Sequence, residues 1–183
     1  GKATEGKAEA RRRLADAGFT AAHPLRVEVS TRALASYRDF ATFVAYELKQ
    51  VGVETTLKEL DTVQWFGAVA RRDYQLGANL MGVVIDDPDV NYYENYGCGA
   101  VRNYTGYCNE RITRLMDQQS QELDPKRRLA LVREIQTRFE EEAVRPIMGW
   151  RLDYFAQWSH VRDLVPHNSN YSFGRMQNVW LDW

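Results

Sequence analysis

No apolar run in this chain approaches the roughly 20 residues that a membrane-spanning helix requires. Charge of one sign is not in excess either. The 24 Lys and Arg against 25 Asp and Glu leave a formal charge of −1, so no overall field draws nucleic acid or anionic lipid. The one cationic run, Arg11-Arg12-Arg13, lies in a helix-like stretch beside Leu14 and reads as a solvated helix face. Gly1 to Gly6 is small and polar with no apolar h-region, so the protein is either cytosolic or has a leader upstream of this sequence. Histidine is sparse: His23, His160 and His167 each lack a second ligand at i+2 to i+4, which leaves no histidine-based metal site. G-x-S-x-G, H-E-x-x-H and glycine-rich phosphate-loop patterns are absent. No cofactor is implied.

What remains is an ordinary globular composition, 44% hydrophobic and 27% charged over 183 residues. That length suits one domain, or one domain with an appendage. The two cysteines, Cys98 and Cys108, flank a polar loop rich in Gly, Asn and Tyr. They are not C-x-x-C and have no histidine nearby, so a disulfide is the better reading and two free buried thiols the alternative. A disulfide implies an oxidising compartment. Asp87-Pro88-Asp89-Val90-Asn91 fits the start of a calcium loop, but Tyr92 stands where the turn glycine belongs and Cys98 where the bidentate glutamate belongs. Asp86 and Asp89 form the one candidate carboxylate pair for hydrolysis; aspartates beside a proline are also ordinary turn formers.

The element order is alternating. Gly6 to Ala17 reads as a helix stopped by Gly18. Leu25 to Ser30 alternates and is rich in β-branched residues, as a strand does. Ser36-Tyr37-Arg38-Asp39 has capping-box spacing, followed by Tyr37, Phe40, Val44, Leu48 and Val51 on one helical face. A strand over Val53 to Leu60 leads to Asp61 and Gln64, a cap for a helix that turns Trp65, Phe66 and Val69 inward. A third strand is expected over Tyr74 to Val84. This order predicts a mostly parallel sheet flanked by helices. Two further helices follow, one capped by Asn109 and burying Ile112, Leu115, Met116 and Leu123. The other opens on Asp124-Pro125 and buries Leu129, Val132, Ile135 and Phe139. Pro146 to Trp150 and Tyr154 to Trp158 read as short strands, and the remainder as a loop-rich tail. Trp65, Trp150 and Trp158 suit either a core or a ligand-stacking cleft.

Several segments, in order, carry a resemblance: Ala15-Asp16-Ala17-Gly18-Phe19, Leu48-Lys49-Gln50-Val51-Gly52-Val53-Glu54, and Tyr74 through Asp87-Pro88-Asp89. Asn103-Tyr104-Thr105-Gly106-Tyr107-Cys108-Asn109, Asp124-Pro125-Lys126-Arg127-Arg128 and Asn178-Val179-Trp180-Leu181-Asp182 follow. Together they resemble family 5 of the extracellular solute-binding proteins, the peptide/nickel-type group serving ABC importers. The resemblance implies the C-terminal portion of a type II periplasmic-binding-protein-like α/β fold. Residues 1–151 would form the C-terminal lobe. Residues 152–183 would be a tail that normally crosses back to complete an N-terminal lobe of the same protein, absent here; pairing with a second copy is the other way to cover it. The implied setting is periplasmic or extracytoplasmic at the cell surface, and in a bacterial protein the sequons at Asn103 and Asn170 are coincidences.

The implied function is non-enzymatic capture of a small solute or short peptide for a membrane ABC permease. A ligand-presenting sensor for a membrane receptor is the alternative, and a hydrolase using Asp86 and Asp89 a further one. Ligands of open α/β sheets bind beyond the carboxyl ends of the strands, which here selects Thr31, Arg32, Met81, Gly82, Val83 and Asp86. In peptide-binding relatives an aspartate four residues before the motif proline holds the peptide amine. Val84 stands there in this chain, and a valine cannot pair with an ammonium. That favours a sugar, an opine-like compound or a modified peptide over a free peptide N-terminus.

Overall fold

A computed structural model describes residues 2–82, 85, 87–150, 152, 154–165 and 176–182. The chain divides into two compact units, Gly1–Met81 and Gly82–Trp183.

In the first unit, α1 (Lys2–Asp16) ends before Gly18, whose φ of +89° suits glycine. Arg12 and Arg13 pair with Glu9 on its exposed surface, in keeping with a solvated face. Lys7 pairs with Glu47, and Arg11 donates to the Gln50 carbonyl, which ties α1 to α2 (Ala35–Lys49). β1 (Arg26–Arg32) is the central strand of a parallel sheet ordered β2-β1-β3, with β2 (Glu54–Leu60) aligned to it along its whole length. Its buried stretch Val29-Ser30-Thr31 is covered on both sides, while β2, at the edge, is mostly exposed and charged.

The start of α2 and the length of the third strand differ from the sequence expectation. Ser36 and Asp39 do not cap α2: the helix begins at Ala35 with Leu34 at the N-cap and no side-chain cap, so Ser36 already lies inside the first turn. The third strand is short. β3 pairs with β1 only at Leu76–Gly77, because side chains replace the ladder on both sides. The Gln75 amide oxygen accepts from the Glu28 N–H at 2.6 Å before it, and the Thr31 hydroxyl donates to the Ala78 carbonyl at 2.8 Å after it.

α3 (Thr62–Arg71) is capped as its sequence specifies. Asp61 accepts from the Gln64 N–H at 2.9 Å while the Gln64 side chain accepts from the Asp61 N–H. Trp65 is 1% exposed and packs close to Gly77, and Val69 is buried beside it on that helix face. Phe66, expected inside, is 47% exposed, since it falls on the rim of that face rather than its centre.

The second unit is built on α4 (Pro88–Tyr96), α5 (Glu110–Gln121) and α6 (Pro125–Glu141). Its core is Tyr92, Tyr96, Ile112, Met116, Ile135 and Phe139, with Tyr96 stacked on Phe139 at 4.1 Å. Sequence reading had no helix at α4, although Asp87-Pro88 repeats the aspartate–proline start of α6 and Tyr92 and Tyr96 stand one turn apart. Asn109 and Asp124 cap α5 and α6 as expected, and Glu134 pairs with Arg138 at 3.4 Å. Leu123 is 94% exposed and Leu129 47%; the first lies in the link after α5 has ended, and the second on the outer face of α6. Cys98 and Cys108 are disulfide-bonded. Both lie on the surface, bracketing a loop held by Asn103, whose amide donates to the Gly97 and Tyr107 carbonyls.

No strand forms over 146–150 or 154–158. The chain there is exposed; Trp150 is 86% exposed and Trp158 lies on the surface too, so of the three tryptophans weighed as core residues only Trp65 is one. A two-stranded antiparallel ribbon joins β4 (Val161–Arg162) to β5 (Trp180–Leu181) instead, reinforced by Arg162 on Asp182 at 3.0 Å. Among the described residues, no helix is long and apolar enough to cross a membrane.

Candidate functional site

The carboxyl edge of the β2-β1-β3 sheet is where the first unit gathers polar side chains. Parallel register aligns Arg32 with Leu60, so β1 and β2 end level. The chain then turns at once into α2 and α3, bringing Tyr37 and Thr62 to the end of β1.

Thr31 is fully buried; its hydroxyl donates to the Ala78 carbonyl and lies 3.4 Å from the Tyr37 carbonyl. It therefore fixes the strand end rather than facing solvent. Arg32 lies half-buried at the edge. Its Nη1 donates to the Tyr37 hydroxyl and its Nη2 to the Thr62 hydroxyl, both at 2.9 Å. Its guanidinium lies 4.7 Å from the Tyr37 ring centre and 5.4 Å from that of Phe66. This is why Phe66 stands at the rim: it forms one wall around the cation. Met81 and Gly82 are exposed and lie several residues past the end of β3, so they are loop positions and not a strand terminus. Val83, Val84 and Asp86 lie outside the described residues, as does His167. Thr31 and Arg32 are thus brought together with Tyr37, Thr62 and Phe66. The last two were legible only as helix-start and helix-face residues.

The acidic cluster has a structural occupation. Asp87 caps α4 and is held by Arg128 at 2.8 and 3.0 Å. The charged hydrogen bonds from Arg128 keep its carboxyl below the ordinary aspartate range. Asp89 accepts from the Gln119 amide and from the Ser120 hydroxyl at 2.7 Å. Gln119 is fully buried, and its carbonyl oxygen accepts from Arg128 at 3.2 Å. Asp87 is held by Arg128 of α6 and Asp89 by Gln119 and Ser120 of α5, which clasps the start of α4 to both helices. Burial and a hydrogen bond to a carboxylate push the Tyr93 and Tyr107 hydroxyls up to about 12, through Asp117 and Glu142 respectively. Among the described residues, no group of three or more His, Cys, Asp or Glu is placed to hold a metal ion.

The class this fold defines is that of the periplasmic-binding-protein-like α/β proteins: helices flanking a parallel sheet, as the sequence predicts. Solved structures that it matches include family 5 solute-binding proteins. The Escherichia coli murein tripeptide-binding protein MppA matches with a TM-score of 0.69 at 19% identity, over 77% of this chain and 28% of its own. The ABC transporter substrate-binding protein CtaP from Listeria monocytogenes matches at 0.64 and 25% identity, over 75% and 28%. NikA from Staphylococcus aureus, solved with a nickel–histidine complex, matches at 0.66 and 19% identity, over 75% and 30%. The chain therefore spans less than a third of the length of each of these proteins. No protein-family profile matches the sequence. No curated protein matches it either.

Proposed function

We propose that this chain is the C-terminal, ligand-capturing lobe of a solute-binding protein, which closes on a small solute and delivers it to an ABC permease without chemical change. The observation that carries the reading is the fold shared with MppA, CtaP and NikA over three quarters of the chain. Solute would meet the carboxyl edge of the sheet at Arg32, with Thr31 fixing the strand beneath it; Met81, Gly82, Val83 and Asp86 stay as the sequence's further candidates for contact. The Asp87–Arg128–Asp89 clasp supports binding over hydrolysis, since Gln119, Ser120 and Arg128 hold Asp89 as a link between helices.

The lobe in this reading runs to about Arg151, and residues 152–183 complete the N-terminal lobe of the same protein. Exposed Trp150, Leu152, Tyr154 and Trp158 support that assignment: so much apolar surface in one stretch is costly to leave in water. A second copy covering the same stretch is the rival, and a dimer of the full-length protein would favour it. The disulfide supports an extracytoplasmic location. Valine at position 84 argues for a sugar, an opine-like compound or a modified peptide over a free peptide amine. A thermal-shift screen of these three classes against unmodified di- and tripeptides on the full-length protein tests the reading. Saturable stabilisation without turnover is expected. Turnover that disappears in Asp86→Asn would replace it with a hydrolase, and tight binding of an unmodified dipeptide would overturn the ligand preference.

A further inference from the structure

Arg32 differs from the cations around it. On the same sheet and its covering helix, Arg26 pairs with Glu54 at 2.8 Å, Lys58 with Glu28 at 3.0 Å and Arg38 with Glu59 at 2.7 Å. Among the described residues, Arg32 has no carboxylate partner; its two hydrogen bonds go to neutral hydroxyls. Asp61, adjacent to Thr62, turns its carboxylate to the Gln64 N–H instead. The Arg32 Nε–H is buried and has no acceptor among the described residues. A guanidinium has five N–H donors, and among the described residues two are matched. A half-buried cation with no carboxylate partner among the described residues leaves donors free for water or for an incoming anion.

From this we infer that the Arg32 edge is a receptor for an anionic oxygen group of the captured solute, a carboxylate or a phosphate. The inference rests on the solute-capture reading and specifies its chemistry. Tyr37 and Thr62 accept from the guanidinium through their oxygens, so each keeps its own O–H for donation to the same anion. The Tyr37 and Phe66 rings hold the guanidinium in place and keep water from part of its surface, which strengthens its attraction for an anion. Approach is open on the Thr62 side, where the Arg32–Thr62 hydrogen bond is exposed, and closed on the Tyr37 side, where the bond is partly buried. A planar fork matches a carboxylate or phosphate with two hydrogen bonds, which an ammonium cannot do. A neutral sugar lacks that group; an opine-like or acidic sugar solute carries it.

The test uses the full-length protein and matched probes in calorimetry at constant ionic strength: glucuronate against glucose, an N-acetyl-dipeptide against its C-terminal amide, and glycerol phosphate against glycerol. At least one anionic probe is expected to bind about tenfold or more tightly than its neutral mate. That gap should collapse in Arg32→Gln, persist in part in Arg32→Lys, and be unchanged in Arg38→Gln. The lysine variant preserves charge and bulk, so it also guards against misfolding of the glutamine variant, and thermal melts of both report folding directly. The carboxylate and phosphate arms separate the two anion sources. Equal binding of anionic and neutral mates, or a gap that survives in Arg32→Gln, overturns the inference while leaving solute capture standing. No saturable binding of any probe defeats the capture reading and this inference with it.

Discussion

Removing the Cys98–Cys108 bridge should lower the stability of the second unit by close to the chain-entropy value. The cysteines are 10 residues apart, and a loop of that length gives roughly 2.5–3 kcal/mol for closure in the unfolded chain. Both cysteines are surface residues, so a Cys98→Ala/Cys108→Ala variant leaves no buried cavity to add a packing loss. The loop is also tied from within. The Asn103 amide reaches the Gly97 carbonyl at 2.9 Å and the Tyr107 carbonyl at 2.6 Å, and its own oxygen accepts from the Thr105 hydroxyl. These bonds keep the folded loop in place without the bridge, so the unit should remain folded and the loss should appear in the unfolded state. Urea unfolding followed by helical circular dichroism measures it, comparing the oxidised protein, the reduced protein and the double variant. Reduced protein and variant should agree with each other and fall below the oxidised protein by that amount. Asn103→Ala should cost more in the reduced protein than in the oxidised one. Equal midpoints for all three, at equal m-values, would refute the reasoning.

Alkaline titration followed by tyrosine absorbance should show late-ionising hydroxyls, because Tyr92, Tyr93 and Tyr107 are each raised to about 12, chiefly by burial. A folded value above the unfolded one, about 10, adds stability that is complete below pH 10 and lost as pH climbs toward 12; a single transition near 10 would contradict this. Asp87 works in the opposite direction. Its folded pKa is depressed, first by Arg128, so its contribution is present above the unfolded value of about 3.9 and lost as pH falls below it. Arg128→Met should return the Asp87 titration, followed by carbon-13 NMR, toward that ordinary value. Asp61→Ala removes the α3 capping box and should cost about 1 kcal/mol in urea unfolding of the first unit, with Asp61→Asn recovering most of it.

Much of the fold was legible because its signals are local. The Asp61, Asn109 and Asp124 caps follow from side-chain oxygens reaching backbone N–H groups two or three residues on, which sequence spacing shows directly. The alternation of β1 against the helical period of α2 made the parallel order readable. What failed depended on partners distant in sequence. Tyr74 to Val84 has strand composition, yet its pairing stops where Gln75 and Thr31 side chains take the backbone groups a longer strand would use. The 146–158 stretch is apolar enough for strands, but among the described residues none of it pairs as a strand. α4 was obscured by its tyrosines and asparagines, which resemble a loop until Tyr92 and Tyr96 are seen packed on Phe139. Arg32 could be picked out as a strand-end residue. That its charge lacks a carboxylate among the described residues could not, because ion pairing is settled by which side chains the turn into α2 and α3 brings near.

The central claim is that solute is captured at the carboxyl edge of the β2-β1-β3 sheet. Hydrogen exchange of the full-length protein, with and without the tightest-binding solute from the screen, tests it most directly. Bound solute should slow exchange in the peptides spanning Thr31–Tyr37 and Asp61–Phe66 while leaving the opposite strand ends at Arg26 and Glu54 unchanged. Protection at Arg26 and Glu54, with none around Arg32 and Thr62, would contradict the account.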